Sequence, residues 1–95
     1  MKVDNHYNHW LPKLLNVNGV TIGHHIYYQR TNIPDWLRRH EETHVRQYQV
    51  YGIFGFLFIY FYEYLRGRLK GLSHFEAYQD ITFEIEARHN ETLRR

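Results

Sequence analysis

The chain has 95 residues, a length that suits one domain and leaves little room for a second. It contains no cysteine, which excludes disulfides, thiolate zinc sites and cysteine nucleophiles, so any transition-metal site must use imidazole and carboxylate ligands. The formal net charge is only +2 and the basic residues are scattered, so no nucleic-acid partner is expected.

The first third of the chain predicts a hairpin. Residues 1–8 are polar and lack the apolar stretch of a signal peptide, so a cytoplasmic location is the default expectation. Asn18-Gly19 is typical of a two-residue hairpin turn, because type I′ turns need positive φ at both central positions. Residues 20–28 are rich in β-branched and aromatic side chains and are expected to form one strand, bulged at Gly23. The hairpin is therefore predicted over residues 17–29.

Helix signals dominate the rest of the chain. Pro34 suits a helix start, and the first helical stretch ends at a glycine. Ser73 and Glu76 form a capping-box pair before the last stretch. The sequence thus predicts a single α+β domain over residues 1–95, mostly helical, with one short hairpin. The three predicted helices cover residues 35–52, 53–66 and 74–93.

The first of these helices carries the pattern H-E-x-x-H, in His40-Glu41-Glu42-Thr43-His44. With 3.6 residues per turn, His40 and His44 share one helix face and can reach one ion. Glu41 lies beside them and is free to act as the general base toward a water whose pKa zinc lowers. The alternative is a solvated face of a charged helix. Chance produces this pattern only roughly 0.05 times in such a chain, so a zinc site is predicted.

A catalytic zinc usually has three protein ligands, so one more is expected elsewhere in the chain. The last predicted helix supplies two candidates, Glu84 and Glu86. Its apolar stripe places Glu86 somewhat nearer the centre and Glu84 on the flank. Periodicity therefore leaves both glutamates open.

Taken together, the two motifs resemble those of the gluzincin zinc peptidases. They are most similar to the minimal single-domain members of that class (minigluzincins) and to uncharacterised domains with the pattern H-E-x-x-H-x-x-Q. The resemblance covers residues 17–90 as an order of elements. The matching residues are His40, Glu41, His44 and Gln47, followed by Glu84 and Ala87.

This resemblance implies a zinc-dependent metallopeptidase-like protein that hydrolyses peptide bonds of a peptide or protein substrate. It favours Glu84 over Glu86 as the third ligand. The site residues that it implies are the zinc ligands His40, His44 and Glu84 and the general base Glu41.

Other residues are candidates for supporting roles. Many members of the resembled class have Asp directly after the Ala, where this chain has Arg88. Asp80, predicted one helical turn before Glu84, could instead orient a ligand imidazole. A peptidase also needs a donor for the developing oxyanion, and the candidates are Tyr48, Arg88 and His89. Tyr48 shares the ligand face and is interpreted first as a core or supporting residue.

The remaining histidines are interpreted as surface or packing groups. His24 and His25 are neighbours on a predicted strand and would point to opposite faces, so they are not expected to chelate one ion together. The protein could also be latent, with one of its own side chains filling the open position of the metal. Candidates for such a plug are His6, His9, His89 and Glu91.

Residues 51–62 are apolar around the whole predicted helix but too short for a membrane span, which needs about 20 apolar residues. A domain of this size can scarcely surround such a helix. Part of it is therefore expected to face a partner subunit, a lipid surface or a substrate groove, with a homodimer as the first expectation and a membrane surface as the second.

The strand over residues 20–28 is the candidate edge for pairing with an extended substrate. Peptide hydrolysis is the leading functional hypothesis. Two others stay open: a non-catalytic, metal-stabilised binding module, and a small membrane-associated interaction protein.

Overall fold

The structure is a computed structural model and describes residues 2–92. These residues form a three-stranded sheet and four helices, which confirms the predicted small, mostly helical α+β fold. In chain order the elements are β1 (Asp4–His6), α1 (Trp10–Leu15), β2 (Gly19–Ile22), β3 (His25–Tyr28), α2 (Asp35–Leu69), α3 (His74–Gln79) and α4 (Thr82–Asn90).

The sheet has the strand order β1-β3-β2, with β1 parallel and β2 antiparallel to β3. The predicted turn at Asn18-Gly19 is wrong, because β2 begins at Gly19. The hairpin turns instead at Gly23 and His24, so residues 20–28 form two strands rather than one. Gly23 has φ of +63°, a conformation that suits the first central position of a two-residue turn.

Helix α2 is broken once, at Gly52, where φ is 72° and ψ is 167°. Only glycine adopts this backbone region without strain. The break coincides with the boundary predicted between the first two helices. The second half then continues to Leu69, three residues beyond the predicted end.

The third predicted helix is wrong as a single element, because the chain leaves helical conformation at Ile81 between α3 and α4. Glu63 of α2 causes much of this break. Its Oε1 accepts hydrogen bonds from the backbone N and Oγ1 of Thr82, at 2.7 and 2.6 Å, and so caps α4 from another element. The capping box at Ser73 is present as predicted. The predicted end at residue 93 lies outside the described residues.

Two apolar clusters hold these elements together. The first packs the sheet against the first half of α2. The second joins both halves of α2 to α4 and to Ile81, which precedes it. Their buried members are Ile26, Tyr28, Leu37 and Val45 in the first, and Tyr48, Phe56, Ile81 and Phe83 in the second.

The second half of α2 leaves much of its apolar surface uncovered. Phe54 is 88% exposed and Phe58 is 73% exposed. The prediction that this segment contacts a second copy or a membrane surface stays a prediction. No helix among residues 2–92 combines the length and the apolar character needed to cross a bilayer.

Substituting Gly52→Ala is expected to lower the free energy of unfolding by about 1–3 kcal/mol, because alanine is strained at this φ and ψ. No atom beyond the neighbouring backbone lies within 4 Å of the added methyl group, so the change in stability reports backbone strain and not a steric clash. Urea unfolding of the metal-free protein measures it. Gly55→Ala is the matched control in the same helix, and it should change stability by at most about 1 kcal/mol in the stabilising direction. Equal effects of the two substitutions would contradict a strained break at Gly52.

Candidate metal centre

Three buried side chains from α2 and α4 converge. The Nε2 atoms of His40 and His44 lie 3.1 and 3.2 Å from Oε1 of Glu84. Ligand atoms bound about 2.0–2.1 Å from a tetrahedral zinc ion lie about 3.3–3.4 Å from one another, so both spacings suit one shared ion. Each of the three residues is at most 9% exposed. Imidazole and carboxylate together form a donor set that suits zinc.

Helix geometry explains how these groups meet. His40 and His44 are one turn apart on α2, and their ring centroids are 5.1 Å apart. Helix α4 is fixed against α2 by Phe83, whose ring stacks on Phe56 with centroids 4.7 Å apart. The neighbouring Glu84 is thereby directed at the two imidazoles.

The Nδ1 atom of each imidazole has its own acceptor, which leaves Nε2 facing Glu84. His40 donates from Nδ1 to Oε2 of Glu91 at 2.6 Å, and His44 donates from Nδ1 to Oε1 of Gln47 at 2.8 Å. Such partners fix the tautomer and ring orientation of metal-binding histidines. The H-E-x-x-H-x-x-Q pattern therefore has a structural reason, since Gln47 orients the second histidine.

Gln47 also explains the position of Glu86. The Gln47 amide donates from Nε2 to the backbone oxygen of Phe83 at 3.0 Å and to Oε1 of Glu86 at 2.6 Å. Glu86 is exposed and lies outside the cluster of ligand atoms. Of the two glutamates left open by the sequence, Glu84 is the one that faces the histidines.

Glu41, the predicted base, is 5% exposed and lies against β2. Thr21 donates from Oγ1 to Oε1 of Glu41 at 2.8 Å. At Gly19 a Cβ atom would lie only 3.1 Å from Oε2 of Glu41, so the glycine leaves space for the carboxylate. Strand β2 therefore determines the position of Glu41.

Two tyrosines that the sequence analysis did not single out contact the third candidate ligand. Tyr60 donates to Oε2 of Glu84 at 2.7 Å, and Tyr78 donates to Oε1 at 3.3 Å. Nine tyrosines are present in the chain, and no local pattern distinguishes these two. They are identified only by the packing of α3 and of the second half of α2 around Glu84.

Burial and ion pairing shift the pKa values of these groups. Burial alone would lower the pKa of His40, but hydrogen bonds to Glu84 and Glu91 and nearby negative charge raise it to about 9. Burial opposes a low pKa for Glu84, yet the hydrogen bonds from His40 and His44 hold it well below its usual value. Burial raises the pKa of Glu41, although the two imidazoles oppose this shift.

Three predicted supporting residues lie elsewhere. Asp80 is exposed at the end of α3, and its predicted role is wrong because the break at Ile81 removes it from the helix of Glu84. Arg88 donates to the backbone oxygen of Gln79 at 2.6 Å and does not line the cleft. His89 is exposed and is also absent from the cleft lining.

Tyr48 is 6% exposed, in keeping with its interpretation as a core residue. Its hydroxyl donates to the backbone oxygen of Thr21 at 3.2 Å, and burial raises its pKa to about 12. Tyr48 therefore fastens β2 to α2, and its hydroxyl is already engaged.

The predicted plugs do not fill the position between the ligand atoms. His6 contacts His25, and the ring of His9 caps α1. Glu91 does contact the candidate ligand His40, but at Nδ1 and not at the Nε2 atom that faces Glu84. Arg39 fixes the backbone oxygen of Glu91 through its Nε at 2.9 Å, so this residue orients the imidazole instead of blocking it.

A cleft of about 610 Å³ opens over the centre. Its walls are largely apolar and aromatic, and β2 forms one side. The polar groups of the centre, His40, Glu41, His44 and Glu84, lie among its lining residues. An apolar cleft with a few convergent polar groups is the usual form of a ligand site.

Zinc affinity is expected to rise with pH up to about pH 9, because below the pKa of His40 the ion must displace a proton from the imidazole. In the metal-free protein the stabilising effect of protonated His40 is complete below pH 6.5 and is lost as the pH rises through about 9. Calorimetric titration at pH 7 in two buffers of different ionisation enthalpy should show release of about one proton or more per zinc. An affinity that is constant between pH 6 and 8 would contradict this arrangement.

Comparison with known proteins assigns no family to the chain. No model of a known protein family, no curated protein and no solved structure matches it. The candidate metal centre is therefore defined by the residues and their geometry alone.

Proposed function

We propose that this protein is a zinc-dependent peptidase, and that it acts on extended, unstructured segments of peptides or proteins. One observation carries the proposal: three zinc-type ligand atoms lie at tetrahedral spacing beside a buried carboxylate that is not one of them. This separation of three ligands from one free base is what a hydrolytic zinc centre needs.

His40, His44 and Glu84 would hold the ion, leaving one position open toward the cleft. Zinc, when bound, supplies a Lewis acid that lowers the pKa of water to about 7 and polarises a carbonyl. Glu91 and Gln47 keep both Nε2 atoms directed at the ligand position.

Glu41 is the group that moves the proton. In the proposed reaction its carboxylate accepts a proton from the attacking water and passes it to the nitrogen of the departing amine. Burial raises the pKa of Glu41, which makes the carboxylate a stronger base. The hydrogen bond from Thr21 leaves Oε2 free while it holds Oε1.

Strand β2 supplies a surface for the backbone of a substrate. Because Gln29 N donates to Asn18 O, the alternation of an antiparallel pair turns the backbone groups of Gly19 and Thr21 toward the outer edge. The Thr21 carbonyl already accepts a hydrogen bond from Tyr48, so an added strand would use the Gly19 groups and the Thr21 N–H. Among the described residues no strand pairs with that edge. An extended peptide could add to it and would then pass beside Glu41.

Tyr60 and Tyr78 are the candidate donors for the developing oxyanion. Their hydroxyls are the phenolic groups that lie at the ligand atoms, and both side chains line the cleft. Each now donates to Glu84, and rotation toward the substrate carbonyl would redirect that donor.

The decisive test is Glu41→Gln, assayed for zinc content and for cleavage of casein. This substitution should keep about one tightly bound zinc per chain and reduce kcat by at least about 100-fold, since a general base commonly contributes that much. Glu42→Gln is the matched control. Glu42 is the adjacent carboxylate, only partly buried and outside the cleft, and its amide should preserve both zinc and activity.

Wild-type protein without stoichiometric zinc would overturn the metal centre itself. Zinc binding without cleavage of any unstructured substrate would instead favour a metal-stabilised binding module. These two outcomes separate the metal site from the activity proposed for it.

Tyr60→Phe is expected to retain zinc and to lower kcat by about 10- to 1,000-fold with little change in KM, the range for loss of one oxyanion donor. Tyr64→Phe is its control one turn along the same helix, because the Tyr64 hydroxyl contacts His74 and Arg68 instead. Steady-state kinetics on a fluorogenic peptide measure both. If only Tyr78→Phe lowers kcat, the donor is Tyr78.

A further inference from the structure

A second group of possible metal ligands lies on the sheet, separate from the first centre. It comprises Asp4 of β1, His24 of the hairpin turn and His25 of β3, whose ligand atoms all lie within 4.8 Å of one another. His6 of β1 lies beside this group. Nε2 of His24 and Nδ1 of His25 lie 3.2 and 3.7 Å from Oδ2 of Asp4. Nε2 of His6 lies 3.2 Å from Nδ1 of His25.

The backbone explains this grouping. Asp4 pairs with His25 and His6 pairs with Tyr27 in the parallel ladder, so these four side chains share one face of the sheet. His24 is not on a strand, and the turn that Gly23 permits swings its ring to within 4.2 Å of the His25 ring. The expectation that His24 and His25 cannot chelate together is therefore wrong.

These spacings are close to the edges of a tetrahedral zinc site. The expected separation between ligand atoms is about 3.3–3.4 Å, and the two contacts within this group measure 3.2 and 3.7 Å. The corresponding separations at the first centre are 3.1 and 3.2 Å. Two imidazole nitrogens and one carboxylate oxygen are a donor set that divalent transition metals prefer.

The polar contacts of this group converge on one carboxylate oxygen. Oδ2 of Asp4 faces Nε2 of His24 and Nδ1 of His25, at 3.2 and 3.7 Å. Nδ1 of His25 also faces Nε2 of His6, and one of these two ring nitrogens must be the acceptor. A cation bound by Asp4, His24 and His25 would draw together three ligand atoms that already lie within 4.8 Å of one another.

We propose that Asp4, His24 and His25 form a second site for a divalent transition metal, with zinc as its probe. The site ties β1 to the β2–β3 hairpin. The side chains of Asp4, His24 and His25 are 40, 46 and 39% exposed, so this ion is held less tightly than one at the buried first centre. The proposal does not depend on peptidase activity.

Zinc titration of the metal-free protein against a chromophoric chelator tests it. Wild type should bind two equivalents, the second more weakly, and the second should raise Tm. His25→Ala should lose the second equivalent and its effect on Tm while it keeps the first. If His25→Ala disturbs the sheet, His24→Ala provides the same test, because it changes only the exposed turn.

His89→Ala is the matched control, since it removes an exposed histidine outside both groups and should keep two equivalents. A wild type that binds a single equivalent, and loses it in His44→Ala, would overturn the proposal. Retention of the second equivalent with unchanged affinity in both His24→Ala and His25→Ala would overturn it as well. His44→Ala should lose only the first equivalent, and that result would show that the two ions bind at different sites.

Discussion

The buried carboxylate of Glu84 is the group around which the helices are arranged. It is only 4% exposed, and four side chains donate to it: His40, His44, Tyr60 and Tyr78. A buried carboxylate is costly unless it is paired and hydrogen-bonded, so α2, α3 and α4 must all be in place before Glu84 is stabilised. Because His40 also donates from Nδ1 to Glu91, its metal-free ring is a cation between two carboxylates. A metal ion would take over the role of the protons through which His40 and His44 contact Glu84.

The sequence predicts those parts of the site that depend on one helix. His40, Glu41, His44 and Gln47 lie within two turns, so the 3.6-residue repeat alone determines which of them share a face. Glu84 could not be separated from Glu86 by the same reasoning. Their orientation depends on where α4 begins, and Glu63 determines that start from another element through Thr82. The same long-range cap explains why Asp80 does not support the site.

The sheet shows a similar division between local and non-local information. A hairpin does lie within residues 17–29, but its turn is not at the predicted position, because Asn18-Gly19 and Gly23 both carry turn signals. Pairing decided between them: Asn18 bonds to Gln29, which draws Gly19 into β2 and leaves Gly23 for the turn. Strand β1 was not predicted, because its polar residues have no strand pattern of their own and are ordered by parallel pairing with β3.

Strand β2 has two roles that are mechanically joined. Its outer edge pairs with no strand among residues 2–92, and its Thr21 side chain holds the carboxylate of Glu41. Tyr48 also fixes Thr21, by donating to its backbone carbonyl. If a peptide adds to this edge as proposed, one that displaces β2 would lengthen the hydrogen bond between Thr21 and Glu41, whereas one that fits without displacing it would leave that bond intact. The base would then respond to the backbone geometry of the bound peptide, without a dedicated side-chain pocket.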